Sequence, residues 1–405
     1  MANTPLSREE AQKALDTYVA AGSEAAAARS LGIPRNTLQA RVAVARRYDL
    51  KPTAESPDSP RALKARIQRL ETELRVKDRA GGVLDTVKKI IGTLASGVNL
   101  LETPDWVSTP RKKESAPGVP TLFLSDLHWG EVVHPSQING VNKYNLATAH
   151  ERMHACVDTA IHLLKIVSPK LDYPGIVLPL GGDLISGNIH DELTATNELN
   201  TMPTVLDLFG VLKGVITQLA DTFGSVFLPC VSGNHGRDTH KIWSKDRHAT
   251  SFDWLICQFL AKHFESDKRV TFFIPDGPDA YYRIYNYRYL LTHGDQFRGG
   301  DGVMGALGPI ARGDHRKRSR NGQIDMDYDT LLLGHWHQYI HMERLIVNGS
   351  LKGYDEYAFS NSFPFESPRQ ALWLTHPKHR ITFRIPVYVD QAREPAKTAW
   401  VSVPK

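Results

Sequence analysis

The chain has 405 residues and a formal net charge of +5, a size that predicts a catalytic domain accompanied by a smaller module. Its sequence has no run approaching the roughly 18 consecutive apolar residues of a membrane span, and its polar start lacks a secretory pattern. Three widely spaced cysteines, Cys156, Cys230 and Cys257, argue against a disulfide framework and predict a cytoplasmic protein without membrane association.

Residues 1–50 are predicted to contain three helices. Ser7 and Glu10 have the spacing of a capping box, which begins a helix that runs to about Ala20. A second helix is expected over residues 24–31, because a serine precedes it and a glycine follows it.

Gly32 separates the second helix from a third one, which is expected to begin at Asn36 or Thr37. Ala28 before this glycine and Leu38 after it are typical of a helix-turn-helix, and the segment resembles small DNA-binding modules of bacteria and phages. The residues predicted to contact DNA are Arg35, Gln39, Arg41, Arg46 and Arg47. The alternative is a helical unit that binds protein or packs on the catalytic domain, with these side chains as its solvated face.

Residues 51–117 are predicted to link this module to the rest of the chain, beginning with a flexible, proline-containing stretch at residues 51–60. A basic helix follows, with apolar residues at the coiled-coil spacing: Leu63, Ile67, Leu70 and Leu74. It either forms a homodimer through residues 63–77 or packs on its own catalytic domain. Residues 80–101 are mostly apolar and are expected to pack beside the catalytic core, and residues 104–120 return to linker composition.

Five polar clusters then follow short apolar runs that have the length and composition of buried strands. They are Asp126-Leu127-His128, Gly182-Asp183, Gly233-Asn234-His235, Thr292-His293-Gly294 and Gly334-His335-Trp336-His337. Polar residues that directly follow strands lie along the carboxyl edge of a sheet, where open α/β folds hold their sites. The five clusters therefore predict one dinuclear metal site.

The residue types in these clusters suit two divalent ions. A carboxylate such as that of Asp183 can bridge ions roughly 3.5 to 4 Å apart, since a shared anion offsets their repulsion. Imidazole and oxygen ligands without a thiolate favour Mn, Fe, Zn, Ni or Co over Ca or Mg. We expect Mn as the cofactor, with Fe, Zn, Ni or Co as alternatives.

The ordered set of five clusters resembles the calcineurin-like metallophosphoesterase superfamily over residues 118–386, followed by a tail at residues 387–405. The resemblance implies an α+β fold with a four-layer α/β/β/α sandwich, and phosphodiester hydrolysis by a hydroxide that the metals generate. It implies that Asp126, His128 and His337 bind one ion, that Asn234, His293 and His335 bind the other, and that Asp183 bridges them. His235 would be the catalytic histidine that assists the leaving oxygen. Gly236 stands where repair nucleases of the family carry an acidic residue.

Three segments are expected to contact the substrate: the loops after Asp183 and His235, and a polar insertion at residues 298–321. The candidates are Asn188, His190, Arg237 and His240 in the loops, and Arg316, Lys317, Arg318 and Arg320 in the insertion. The glycines of the insertion predict a mobile lid whose basic residues clamp a nucleic-acid backbone, the alternative being a solvated charge run. Trp129 and Trp336 adjoin ligand positions, and they either stack on a base or pack around the site.

These patterns together predict a metal-dependent nuclease whose partner is DNA, with a domain combination that resembles phage or prophage gene content. Two alternatives remain. The first is a phosphatase, or a nucleotide or small-molecule phosphodiesterase, that the N-terminal module recruits to a partner. The second is a DNA-binding regulator with a vestigial metal site, against which the complete set of ligand residues argues.

Overall fold

The structure is a computed structural model that describes residues 6–21, 23–51, 102–110, 117–298 and 305–390. The chain divides into two compact units, residues 1–87 and 88–405, and each is described by itself. Outside the described residues lie residues 52–60 of the linker stretch predicted at 51–60, the predicted helices at 63–77 and 80–101, and residues 391–405 of the tail predicted at 387–405.

The first unit contains three helices: α1 Arg8–Ala21, α2 Glu24–Leu31 and α3 Arg35–Arg47. The predicted capping box is confirmed, because the backbone N–H groups of Ser7 and Glu10 each donate to the other residue's side chain at 3.2 Å. Ser23 caps α2 by accepting the N–H of Ala26 at 3.3 Å. The small apolar core shared by the helices is formed by Ala11, Ala14, Leu15, Ala27, Ala28, Leu38, Val42 and Ala45.

The turn between α2 and α3 explains why the third helix begins earlier than expected. Gly32 ends α2 with a φ of +66°, a left-handed conformation that glycine adopts without a side-chain penalty. Pro34 follows, and its ring fixes a φ of −59° at the residue that precedes the helix. The helix therefore begins at Arg35, directly after the proline, and the predicted start at Asn36 or Thr37 is wrong by one or two residues.

The second unit is a mixed α/β structure with two mixed sheets. Strand order in the first sheet is β11–β10–β1–β2–β3–β4, in which β1 to β4 run parallel to one another and β10 is antiparallel to both of its neighbours. Its strands are β1 Val119–Phe123, β2 Ile176–Val177, β3 Val226–Pro229, β4 Val270–Phe273, β10 Arg369–His376 and β11 Arg380–Tyr388. β11 is the last strand in the part of the chain that the structure describes.

The second sheet has the order β5–β6–β7–β9–β8. Its strands are β5 Asp279–Ile284, β6 Tyr287–Thr292, β7 Thr330–Leu333, β8 Ile340–His341 and β9 Leu345–Val347. β5 and β6 pair antiparallel across a short turn, and this hairpin leads into His293. β6, β7 and β9 run parallel, so β6 and β7 end at the same edge of this sheet.

The helices of this unit are α4 Asp105–Ser108, α5 Leu146–Val167, α6 Asp191–Thr196, α7 Thr201–Phe223, α8 Phe252–His263, α9 Leu307–Gly322 and α10 Glu356–Ser360. Together with the two sheets they bury three apolar clusters. Successive side chains of a strand point to opposite faces. Leu122 accordingly packs in one cluster with residues of α5, α7 and α8, whereas Phe123 packs in another with Trp373 and residues of the second sheet. The third cluster joins Leu331 and its neighbours to Ile310 of α9.

Helix α7 is the one described helix that is long and apolar enough to cross a membrane by length and composition, with a mean hydropathy of 1.2. Its apolar residues recur every three or four positions, which is the spacing of one helix face. Those residues, which include Leu208, Leu212 and Leu219, are buried in the cluster that also contains strand residues such as Val226. This packing is that of a core helix.

Two predictions about connecting segments are wrong. Residues 104–120 are not a simple linker, because Val107 of α4 is fully buried and its carbonyl accepts the N–H of Tyr285 at 2.8 Å. The insertion at residues 298–321 is not an unstructured lid either, since most of it forms helix α9. A Cβ at Gly313 would overlap the ring of Phe297, so this glycine permits close helix packing and does not confer mobility.

Candidate metal centre

The predicted ligands lie just beyond the ends of strands in both sheets. Asp126 and His128 follow β1, Asp183 follows β2, and Asn234 follows β3, all in the first sheet. His293 follows β6, and His335 and His337 follow β7, in the second sheet. These seven residues are called the metal centre below. Both sheets contribute to it because the two strand edges meet at one place.

Six of the seven side chains, together with His235, form three overlapping groups, within each of which one donor atom per residue lies within 4.8 Å of the others. The groups are Asp126, His128 and His337; His128, Asp183 and His235; and Asp183, His293 and His335. Asp183 and His128 thus connect the two ends of the cluster. This connection is the arrangement expected of a carboxylate that two ions share.

Individual distances show how closely the donors approach one another. His128 Nε2 lies 3.0 Å from His337 Nε2, which in turn lies 3.4 Å from Asp126 Oδ1. His293 Nε2 lies 3.0 Å from Asp183 Oδ2 and 3.2 Å from Asn234 Oδ1. Imidazole nitrogens and carboxylate or amide oxygens that point at one another in this way fit a divalent metal site.

Five of the seven residues adopt left-handed backbone conformations. The φ angles are +54° for Asp126, +47° for His128, +49° for Asp183, +69° for His335 and +51° for His337. A side chain other than glycine at positive φ costs free energy, typically about 1–3 kcal/mol per residue. The surrounding fold therefore holds these side chains in strained turns that aim them at a common point.

Glycines next to the ligands allow these tight turns to pack against each other. A Cβ at Gly233 would overlap the carboxylate and the backbone nitrogen of Asp183, and one at Gly334 would overlap the carboxylate of Asp126. The glycine in the Gly-Asn-His and Gly-His-x-His clusters is thus required by close approach of the backbone to a ligand.

We expect Gly233→Ala to abolish metal binding, because either Asp183 or the turn that carries Asn234 must move. The same overlap should lower the free energy of unfolding by about 1–3 kcal/mol. Gly210→Ala is the matched control, since Gly210 lies within α7 with open space around it and its replacement should be neutral or stabilising. Thermal unfolding and calorimetric Mn titration of both variants check the prediction, and wild-type Mn affinity in Gly233→Ala would contradict it.

Asp253, on helix α8, organises the backbone beneath the ligands without joining the cluster. Its fully buried carboxylate accepts the backbone N–H groups of Asp183 at 3.0 Å, Leu184 at 3.1 Å and Gly233 at 2.9 Å. Burial and the nearby Asp183 raise the pKa of the Asp253 carboxyl to about 6. One side chain therefore fixes two ligand-bearing turns, and sequence inspection did not identify it.

The protonation states of the histidines differ across the metal centre. Burial lowers the pKa of His128 to about 3, and burial together with the charge of His293 lowers the pKa of His335 to about 4. Burial also disfavours the charged form of His293, but the carboxylates of Asp183 and Asp126 outweigh it and raise the pKa of His293 to about 10. Near neutral pH the metal-free protein thus holds a proton on His293, while His128 and His335 are neutral.

We therefore expect Mn affinity to rise with pH, because binding must displace the proton of His293. The pKa of His293 is raised above its ordinary 6.5, so its ion pair with Asp183 stabilises the metal-free protein fully below pH 6.5 and is lost as pH passes about 10. Affinity should increase about tenfold per pH unit between pH 6.5 and 8.5. Calorimetry in buffers of different ionisation enthalpy would count the protons, and release of none would contradict the prediction.

A buried chain of charges supports His128 from behind. His128 Nδ1 lies 3.3 Å from Glu131 Oε2, and Lys352 Nζ lies 2.8 Å from Glu131 Oε1 and 2.5 Å from Asp355 Oδ2. Burial works against the charge on Glu131, but Lys352 outweighs it and holds the pKa of Glu131 well below its usual range. A carboxylate behind a ligating imidazole fixes its orientation and raises its basicity.

The residues predicted to contact the substrate in the two loops differ in their surroundings. Asn188, His190 and His240 are exposed, and the His190 ring centroid lies 6.3 Å from that of His235. Arg237 is bound internally, because its guanidinium donates to the backbone carbonyls of Asn234 and, at 2.9 Å, Thr239. These contacts hold the loop, and the predicted contact of Arg237 with the substrate stays a prediction.

The four basic residues of the segment predicted as an insertion lie on α9. Two of them pair with acidic side chains of the protein itself. Lys317 is 7% exposed and donates to both oxygens of Asp279, at 2.7 and 2.9 Å. Arg318 pairs with Asp314 at 2.8 Å. Arg320 is more open, although it also reaches Asp279 at 3.1 Å, and Arg316 is exposed. Lys317 is thus buried in an ion pair and does not present its charge to a nucleic-acid backbone, whereas the contacts predicted for Arg316, Arg318 and Arg320 stay predictions.

The two tryptophans beside the ligands have different surroundings. Trp129 is fully buried, and its Nε1–H donates to Asp207 at 2.7 Å, so it is a packing residue. Trp336 is partly buried and packs against the apolar cluster that contains Leu331 and Leu333. The packing interpretation is therefore correct for Trp129, and a role in base stacking is excluded there.

The chain is similar to several solved structures. No protein-family model and no curated protein matches the chain. It is similar to Vacuolar Protein Sorting 29 from Cryptosporidium parvum, at 16% identity over 63% of this chain and 84% of that one, with a TM-score of 0.27. It is also similar to a conserved uncharacterized protein from Streptococcus pneumoniae, a predicted phosphoesterase, at 9% identity over 67% and 99%, with a TM-score of 0.26.

A further similarity is to the sulfate thiohydrolase SoxB from Thermus thermophilus, at 9% identity over 69% of this chain and 58% of that one. Its TM-score is 0.28.

Proposed function

We propose that this chain is a metal-dependent phosphodiester hydrolase that acts on DNA. The observation that supports the proposal is the convergence of seven imidazole, carboxylate and amide side chains from five separate strand ends. This convergence fits the four-layer architecture that we propose from the resemblance to calcineurin-like metallophosphoesterases. The narrower part of the proposal is that the enzyme is a nuclease. Under this proposal Asp126, His128 and His337 hold one ion, Asn234, His293 and His335 hold the other, and Asp183 holds both.

Divalent ions held there would supply Lewis acidity, which lowers the pKa of water and neutralises charge on phosphoryl oxygens. The chain's own residues would orient the phosphodiester and move a proton. His235 Nδ1 lies 3.0 Å from the Ser186 carbonyl oxygen and donates to it, which leaves Nε2 available for proton transfer to the leaving oxygen. Its backbone N–H donates to Asp183 Oδ1 at 2.7 Å, which fixes the ring beside the shared carboxylate.

The proposed DNA specificity is supported by the first unit, which we propose to be a helix-turn-helix module. Arg46 and Arg47 are exposed at the end of α3 and line one groove with Gln39. Gln39 Nε2 and Arg35 Nε each donate to Glu24 at 2.9 Å, which leaves the Gln39 amide oxygen and the outer guanidinium nitrogens of Arg35 for contact with DNA. Arg41 lies 3.9 Å from Glu10 and is also partly neutralised.

We further propose that the ion is Mn, that the protein is cytoplasmic and of phage or prophage type, and that it forms a homodimer through residues 63–77.

The test incubates the purified full chain and Mn with linear, circular and single-stranded DNA, and with bis-nitrophenyl phosphate. Hydrolysis of DNA and of the chromogenic ester, both stopped by a chelator, is expected. Hydrolysis of the ester alone would contradict the DNA specificity in favour of a phosphatase or a small-molecule phosphodiesterase. If neither DNA nor the chromogenic ester is hydrolysed with Mn, Fe, Zn, Ni or Co, the result contradicts the proposed enzymatic activity and favours a DNA-binding regulator.

A further inference from the structure

The segment between Asn234 and helix α8 directly follows a proposed metal ligand and contributes none of the seven residues of the metal centre. We call residues 237–247 the Trp243 arm. Its two ends are held together at the base, where the backbone N–H of Asp238 donates to the carbonyl of Thr250 at 2.9 Å. A loop closed in this way presents its tip as a compact surface feature.

Two arginines fix the arm to the turn that carries Asn234. At one end Arg237 donates to the carbonyl oxygens of Asn234 and Thr239. At the other end Arg247 binds both carboxylate oxygens of Asp295 at 3.0 Å and the carbonyl of Gly233 at 3.0 Å. Movement of the arm relative to the metal ligand is thereby restricted, so the arm is a preorganised part of the site.

The tip exposes an indole between two cationic side chains. Trp243 is 54% exposed and Ile242 is 38% exposed, while Lys241 and Lys245 are exposed two residues before and after the tryptophan. Ile242 and Trp243 line the same cleft as the metal ligand Asn234. Isolated apolar residues are common on protein surfaces, but this one shares a cleft with a proposed metal ligand.

We infer that Trp243 stacks on an unpaired base of a single-stranded nucleic acid whose backbone Lys241 and Lys245 contact, which places a phosphodiester at the metal centre. This inference rests on the proposed function. Base faces are open to an aromatic side chain in single strands and are covered by neighbouring bases in a duplex. Exposed lysines on both sides of a stacking residue can bind the phosphates that flank a stacked base. The substrate class is therefore single-stranded DNA, or duplex DNA with an unpaired region.

The test measures binding of a fluorescein-labelled 15-nucleotide oligothymidylate to the full chain by anisotropy, with chelator to prevent hydrolysis. Excess unlabelled duplex occupies any duplex-binding site of the first unit. Trp243→Ala should weaken binding about tenfold, and Trp243→Phe, which keeps an aromatic face, should retain most of the affinity. Leu206→Ala is the matched control, because Leu206 is an apolar residue on α7 that is 67% exposed, and it should bind like wild type.

A second measurement serves if Trp243→Ala fails to fold. The double variant Lys241→Gln, Lys245→Gln should lower the slope of log Kd against log salt by about 1.4, the value for two phosphate contacts on a single strand. Wild-type affinity in Trp243→Ala and an unchanged salt slope would overturn the inference. So would a concentration-dependent dimer that only Trp243→Ala disrupts. These outcomes leave the proposed function intact if wild type still cleaves DNA, whereas loss of all hydrolysis in wild type contradicts the proposed function itself.

Discussion

Asp183→Ala is expected to reduce phosphodiester hydrolysis at least about a thousandfold, beyond the 10–100-fold typical of losing a residue behind a ligand. The carboxylate has three roles in the structure. It lies in two of the three donor groups, it pairs with His293 at 3.0 Å, and it accepts the backbone N–H of His235 at 2.7 Å. Removal of this one side chain therefore separates the two halves of the metal centre and releases the proposed catalytic histidine.

The measurement for Asp183→Ala combines turnover of bis-nitrophenyl phosphate with the Mn stoichiometry from calorimetry. Asp183→Asn keeps the shape and loses the charge, so it should also lose most of the activity. Asp191→Ala, at an exposed aspartate that begins α6 after the same strand, should behave like wild type. Full activity in Asp183→Ala would show that the observed cluster is not the catalytic centre.

Asp253→Ala is expected to cost about 3–5 kcal/mol of unfolding free energy, because it leaves three buried backbone N–H groups without an acceptor. Those donors belong to Asp183, Leu184 and Gly233, so the loss should also disorder both ligand turns. Mn binding should weaken as the protein loses stability. This double effect distinguishes Asp253 from residues that only fill the core.

Chemical denaturation and Mn calorimetry of the same samples check this prediction. Asp253→Asn keeps one acceptor oxygen and should lose about half as much stability. Asp158→Ala removes an exposed aspartate from α5 and should change stability by no more than about 0.5 kcal/mol. A melting temperature for Asp253→Ala equal to that of wild type would show that other acceptors satisfy the three N–H groups.

The strand runs and the residues at their ends could be predicted from the sequence because both signals are local. A short apolar run followed at once by Asp, Asn or His places a ligand at a sheet edge, and Asp183 and His293 show this relation in the two sheets. Helix α9 was missed because its sequence is basic and rich in glycine. Its buried face depends on tertiary contacts, such as that between Lys317 and Asp279, which no periodicity reveals.

The sequence also shows no sign of two residues that support the ligands, because they lie far along the chain from the residues that they contact. Asp253 lies on a helix 70 residues after Asp183, whose N–H it accepts. Lys352 lies 221 residues after Glu131, to which it donates. A single acidic or basic residue has no motif of its own, so only the folded chain shows that these side chains converge behind the ligands.

Five of the seven proposed metal ligands have a left-handed backbone conformation, and this has an evolutionary consequence. At those positions glycine or asparagine would relieve backbone strain, so selection for folding alone favours replacement of Asp126, His128, Asp183, His335 and His337. Asp126 and Asp183 also accept backbone N–H groups at 2.7 Å, whereas the three histidines are kept in place by chemistry that requires their imidazoles. A descendant released from that chemistry should therefore become more heat-resistant as its catalytic positions drift toward glycine and asparagine, and an alignment of such relatives would record when the activity was lost.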